Sequence, residues 1–216
     1  MNLPNKLTIL RIILVPIIVI IYYLGSLGLI NGEFLNVSTV NWLILVIFSI
    51  ASYTDHLDGK IARKDNLITA FGKFADPLAD KILVLAVMLI LVEDGMLPAW
   101  IPIVVLFREF VVSGYRLIAV EKGGKVIAAN IWGKVKTVTQ MIAIILMLLD
   151  KFPYCQFVAR ASTILEAEAS SILVYMSMGE FILNILASVL MTVSVIATVF
   201  SGWNYIKGGK DLFKDC

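Results

Sequence analysis

The chain has 216 residues, 60% of them hydrophobic, with a mean hydropathy of +0.93 and a formal charge of +2. A soluble domain of this size rarely carries so much apolar surface, because polar residues must still cover its outside. Cys155 and Cys216 are the only cysteines, too few for a disulfide framework or a thiolate metal site.

At about 20 residues per spanning helix, the length allows roughly six crossings with short connections and no separate soluble module. Continuous apolar runs, without the alternation of barrel strands, predict an all-α integral membrane protein. The predicted spans are 7–30, 41–62, 74–91, 98–120, 131–149 and 179–206, in one compact membrane domain over 1–216. The first has basic residues and a long apolar run like a signal peptide, but it is too long and lacks an A-x-A-like cleavage site. It is read as a retained helix. The connections are 31–40, 63–73, 92–97, 121–130 and 150–178, with a short surface helix possible at 160–171; no repeat or low-complexity segment is visible. Six spans place both termini on one side. Of the 18 Lys and Arg residues, only Lys151 and Arg160 fall on the other side, which makes the termini cytoplasmic. Trp42, Trp100, Trp132 and Trp203 fall near span ends, where interfacial aromatics belong.

The informative stretch is 55–80, DHLDGKIARKDNLITAFGKFADPLAD. The second span has too few residues before its acids to cross a bilayer, so it must include Asp55 and Asp58; the third holds Asp76 and Asp80 near its start. Asp55 and Asp58 are i, i+3, and Asp76 and Asp80 are i, i+4, so each pair shares a helix face. The pairs are disposed symmetrically about Leu67, and a short connection makes the two helices antiparallel neighbours with both pairs at similar depth. Carboxylates in membrane helices are costly and mark function. Four together repel unless a cation intervenes, and an all-oxygen set favours Mg²⁺ or a similar hard ion over zinc. The competing reading is an interfacial charge cluster with Lys60, Arg63, Lys64, Lys73 and Lys81. Gly59 and Ala62 continue the stripe of Asp55 with small side chains that admit a flat base or pyrophosphate, and Gly72 opens the facing helix, although small residues also serve helix packing. Arg63 can meet phosphate with forked donors.

Asp55-x2-Asp58-Gly59-x2-Ala62-Arg63-x8-Gly72-x3-Asp76-x3-Asp80 resembles the complete signature of the CDP-alcohol phosphatidyltransferase family, eight fixed residues over 26 positions. The resemblance implies six membrane helices, a homodimer, and a polar site opening to the cytoplasm of a bacterial plasma membrane. It implies attack by an alcohol on the β-phosphorus of a CDP-lipid such as CDP-diacylglycerol, releasing CMP. Asp55, Asp58, Asp76 and Asp80 would bind two divalent ions, Mg²⁺ or Mn²⁺, and Asp80 would also take the alcohol's proton. Asp55, Asp58, Gly59, Ala62, Arg63 and Gly72 would line the nucleotide site. No nucleic-acid partner is expected.

Outside the signature, residues 2–11 (NLPNKLTILR), 71–81 (FGKFADPLADK), 108–116 (REFVVSGYR) and 133–137 (GKVKT) resemble the branch of that family whose acceptor is glycerol 3-phosphate. A phosphorylated acceptor needs cations. Arg108 and Arg116, eight residues apart in the fourth span, and Lys134 and Lys136 at the start of the fifth lie toward the cytoplasmic side and could form a phosphate pocket beside the metals. Alternatively Arg108 pairs with Glu109 or another buried acid, and the lysines set topology. Asn5, Thr8 and Arg11 lie near the same face, where they contribute to the nucleotide or acceptor site or serve helix entry and anchoring. His56, the only histidine, is turned about 100° from Asp55 and reads as a bystander. Glu180 reads as a helix-end residue.

Other acceptors, such as inositol phosphate, serine or a lipid, remain open. A cation transporter would hold its acids near the midplane with broken or repeated helices. These acids cluster toward one face, and Arg63 would repel the cation.

Overall fold

The computed structural model describes residues 3–64, 70–121, 131–156 and 177–208; within these, the side chains of 3–5, 55–64, 70–77, 116–121, 206 and 208 are not described. The predicted surface helix at 160–171 and much of the second and fourth connections therefore lie outside the described residues. Six long helices follow in order: α1 Leu3–Ser26, α2 Thr39–Lys64, α3 Ala70–Glu93, α4 Trp100–Glu121, α5 Ile131–Leu149 and α6 Met178–Gly208. A two-residue hairpin, β1 Glu33–Phe34 and β2 Val37–Ser38, interrupts the connection from α1 to α2. The chain packs as two units, one of α1, α2, α3 and the end of α5, the other of α4, most of α5 and α6.

In the first unit α1 packs on both α2 and α3. The Tyr22 hydroxyl donates to Asp94 at 2.7 Å, and the Tyr23 hydroxyl donates to Glu93 at 3.3 Å, so the C-terminal ends of α1 and α3 lie together and the helices run parallel. Both helices stop by the same device, a glycine in the left-handed region with a pair of tightened hydrogen bonds. After α1, Gly28 (φ 73°) donates to the Gly25 carbonyl and Leu29 to that of Leu24. After α3, Gly95 (φ 71°) donates to Val92 and Met96 to Leu91. The first span was expected to run to residue 30, because Leu27, Leu29 and Ile30 extend the apolar run; Gly28 ends the helix at Ser26 instead. A Cβ on Gly25 would collide with Val40, so a bare backbone lets the last turn of α1 meet the first turn of α2.

The hairpin turns on Leu35 (φ 53°) and Asn36 (φ 63°), the pair of positive angles that matches the twist of a two-residue loop. Trp42 pins it from α2, its indole N–H donating to the Phe34 carbonyl at 2.9 Å while the two rings meet edge to face.

In the second unit α4 packs on α6, and the pairs Arg108–Ser201 and Tyr115–Tyr205 show that they run parallel. The chain leaving α5 is tied to α6 by a polar ladder. The Asn184 amide donates to the Phe152 and Pro153 carbonyls, Ser188 accepts from the Cys155 N–H, and Thr192 bonds the Tyr154 hydroxyl. These residues stand four apart, one turn above another.

Among the described residues, three helices are long and apolar enough to cross a membrane: Lys6–Ser26, Ile131–Leu149 and Met178–Tyr205. Among the described residues, α2 has an apolar stretch at Thr39–Thr54, about 24 Å at 1.5 Å per residue, short of a hydrocarbon core of about 30 Å.

Gly95 tests the capping argument cleanly, because a Cβ there would meet nothing within 4 Å and only its backbone angle matters. Gly95→Ala is expected to destabilise by roughly 1 kcal/mol, and Gly95→Asn by less, read as thermal unfolding midpoints in detergent.

Candidate active site

The helices carry the acidic signature as its spacing requires. α2 runs unbroken through Asp55 and Asp58 to Lys64, and α3 begins at Ala70 and runs through Asp76 and Asp80. The two helices touch. Gly59, Ala62 and Arg63 lie on the last turns of α2, and Gly72 on the first turn of α3. Asp80 is the signature aspartate whose side chain is described. It is half-buried, follows the fully buried Ala79 by one residue, and its Oδ1 is sealed from solvent. Three of the four aspartate side chains lie outside the described ones, and among the described residues no group of three or more metal-ligating side chains gathers. The donor chemistry, carboxylates on two touching helices, fits a hard divalent ion.

The parallel pairing of α1 and α3 gives the depth of two further residues. The sequence offset that joins Tyr22 to Asp94 also sets Thr8 level with Asp80. Thr8 and Arg11, one turn apart, are each 1% exposed, so a guanidinium is fully buried near the depth of Asp80. Burying a charge on this scale is costly without a structural or chemical purpose.

The cations named from the sequence differ in their settings. Arg108 Nη1 donates to Glu109 Oε1 at 2.7 Å, and Lys136 Nζ donates to the same oxygen at 2.7 Å. Side-chain exposures of 12%, 14% and 9% for Arg108, Glu109 and Lys136 show that the cluster is largely withdrawn from water. Arg108 Nη2 donates to Ser201 Oγ at 2.5 Å, and its guanidinium lies 5.9 Å from the Tyr205 ring centre. Gly133 and Gly202 lie beside it, and an added Cβ would sit 3.6 Å and 3.4 Å from the arginine side chain, at ordinary van der Waals contact. Arg108 Nε is buried and has no hydrogen-bond partner among the described residues. Such a donor can complete a hydrogen bond to a bound ligand or water. Lys134 is exposed on the first turn of α5, and Arg116 lies two turns beyond Arg108 on α4. Pairing of Arg108 with Glu109, one of the two sequence readings, is what the structure shows. The sequence reading did not single out Ser201 or Tyr205, and it treated Glu109 only as a partner. An acid beside an arginine within an apolar span was the available signal.

A polar cleft of about 640 Å³ opens in the first unit near the C-terminal ends of α1 and α3, away from Asp80, lined in part by Tyr22, Asn31, Asn41, Asp94 and Lys151. Burial pushes the Asp94 carboxyl above its ordinary value; the Tyr22 hydroxyl partly offsets this, and the nearby Glu93 charge adds to it.

Residues 1–200 match the CDP-alcohol phosphatidyltransferase family. The chain is similar to a CDP-diacylglycerol–glycerol-3-phosphate 3-phosphatidyltransferase of Bacillus subtilis, 40% identical over 99% of this chain and 97% of the relative. A protein of the same name from Rickettsia felis is 32% identical over 98% and 97%, and one from Haemophilus influenzae 39% identical over 66% and 73%. With the signature on two touching helices and the match running through nearly the whole chain, the protein belongs to the CDP-alcohol phosphatidyltransferase family.

Proposed function

We propose that the chain transfers the phosphatidyl group of CDP-diacylglycerol to sn-glycerol 3-phosphate, forming phosphatidylglycerophosphate and CMP. The observation that carries this reading is the 40% identity, across 99% of the chain, to a relative named for that reaction. Structural support comes from Arg108, whose buried Nε offers a hydrogen bond that an acceptor phosphate would complete.

All six helices are assigned to the membrane, with both termini cytoplasmic. α2, α3 and α4 carry charged residues along their length, yet each presents an apolar exposed stripe. These stripes are Leu43, Val46 and Ile50 on α2, Leu78, Ile82 and Leu89 on α3, and Ile103, Phe107 and Phe110 on α4, all exposed. Helices that are apolar outside and charged inside suit protein-lined polar sites within a bilayer. The protein is read as a homodimer of the bacterial plasma membrane with its site toward the cytoplasm.

Asp55, Asp58, Asp76 and Asp80 would hold two divalent ions, Mg²⁺ or Mn²⁺, which when bound neutralise the pyrophosphate and stabilise the departing CMP. Gly59, Ala62 and Gly72 leave room for the nucleotide, and Arg63 meets its phosphate. Asp80 takes the proton of the glycerol hydroxyl as that oxygen bonds to the β-phosphorus and the bond from β-phosphorus to the CMP oxygen breaks. Arg108, Arg116, Lys134 and Lys136 bind the phosphate that the acceptor already carries. Such catalysis rests mostly on positioning and electrostatics.

The first test is CMP release by purified protein from CDP-diacylglycerol. Release should require both glycerol 3-phosphate and a divalent ion, and EDTA should stop it. Release with some other alcohol alone would replace the acceptor, and no release from folded protein would overturn the reading. Asp80→Asn should lower kcat by roughly 10²–10⁴-fold in a protein that still folds, the span of general-base contributions; near-normal turnover would remove Asp80 from the chemistry. Arg116→Ala should raise the KM for glycerol 3-phosphate by about tenfold or more while changing that for CDP-diacylglycerol little, and equal effects on both would return Arg116 to a structural role.

A further inference from the structure

Arg108 and Lys136 come from different helices, and both donate to one oxygen of Glu109. That shared contact brings two cationic groups within reach of a single phosphate. Two like charges so near, and so far withdrawn from water, would otherwise push apart. Arg108 is also held on a second side, by Ser201 and the face of Tyr205 on α6. Its two terminal nitrogens are thus engaged by protein, while Nε remains a buried donor with no partner among the described residues.

We infer that Glu109 is a positioning residue for the acceptor: it holds Arg108 and Lys136 side by side as one two-point cradle for the acceptor's phosphate, and Ser201 fixes the guanidinium from α6. This rests on the reading that Arg108 and Lys136 bind that phosphate. Glu109 touches neither substrate in this assignment. Its charge keeps the cations together before the ligand arrives, so less of the binding free energy goes into assembling them. The carboxylate also lowers the net positive charge of the cluster when no ligand is bound, which makes two buried cations tolerable within α4 and α5.

The test compares Glu109→Gln with Arg108→Ala in the full-length protein, measuring KM for both substrates and inhibition by inorganic phosphate against glycerol 3-phosphate. Glu109→Gln should raise the KM for glycerol 3-phosphate about tenfold or more, the size expected from loss of a charge-assisted contact, and leave that for CDP-diacylglycerol within about twofold. The phosphate inhibition constant should weaken in parallel, which a merely structural loss would not produce selectively. If Arg108→Ala raises the acceptor KM and Glu109→Gln does not, the positioning role fails and the acceptor site stands. If Arg108→Ala leaves that KM unchanged, the acceptor assignment itself fails, and the inference with it. A lower acceptor KM in Glu109→Gln would mean that the carboxylate opposes the phosphate, and a parallel rise of both KM values would mean a structural ion pair; either overturns the proposal. Should Glu109→Gln not fold, Ser201→Ala answers the same question through the other hold on Arg108: a selective rise of about threefold in acceptor KM supports the cradle, and no change overturns it.

Discussion

An ionised side chain inside an apolar helix must be met by opposite charge or hydrogen bonds, because water is not there to solvate it. Much of this protein's arrangement answers that requirement. Glu109 meets Arg108 and Lys136, and Ser201 meets the other arm of the guanidinium. The same helices keep Ile103, Phe107 and Phe110 outward, so a charged interior and an apolar exterior coexist on α4. Replacing such a network with apolar residues often stabilises a protein. Its presence in a transferase is therefore better understood through substrate binding than through stability.

The first unit solves a different problem, that of setting helices at a defined depth. α1 and α3 run parallel, end in the same glycine motif, and are joined there by two tyrosine–carboxylate contacts. That fixed end establishes the register at the other, where Thr8 and Arg11 are buried near the depth of Asp80. A depth match of this kind needs only constant rise along two helices. The signature names residues on α2 and α3, whereas the packing brings α1 to the same level.

The helices were legible because apolar runs and their interruptions are written in composition; α5 has the predicted bounds, and the others differ at their ends by a few residues. The placement of the four aspartates on two touching helices was legible through spacing, since i, i+3 and i, i+4 have one geometric meaning on a helix. What escaped the reading depends on angle and contact. Lys134 and Lys136 were equivalent candidates, but two residues turn a helix by about 200°, and one is exposed while the other is buried. The hairpin at 33–38 carries none of the usual Asn-Gly or Asp-Gly signal, and Leu35 takes a left-handed angle that propensity disfavours. The ladder Asn184, Ser188, Thr192 has a clear helical period, but its partners are mostly backbone groups of a loop whose path no periodicity predicts.

That ladder also fixes α6 about its own axis. The loop at 152–155 grips one side of the helix through three successive turns, so α6 has a single angular setting. Ser201 lies nine residues beyond Thr192, about 13 Å along the axis, and its orientation toward Arg108 is inherited from that grip. The intervening stretch, VSVIATVF over 193–200, includes the buried Ser194, Ala197 and Thr198, and its length sets where Ser201 falls. Exchanging the exposed apolar residues Val193, Ile196 and Val199 for others preserves the setting. Adding or deleting a single residue turns the far end by about 100° and carries the serine off the guanidinium. Along this part of α6, length decides the serine's setting, whatever the exposed apolar side chains are.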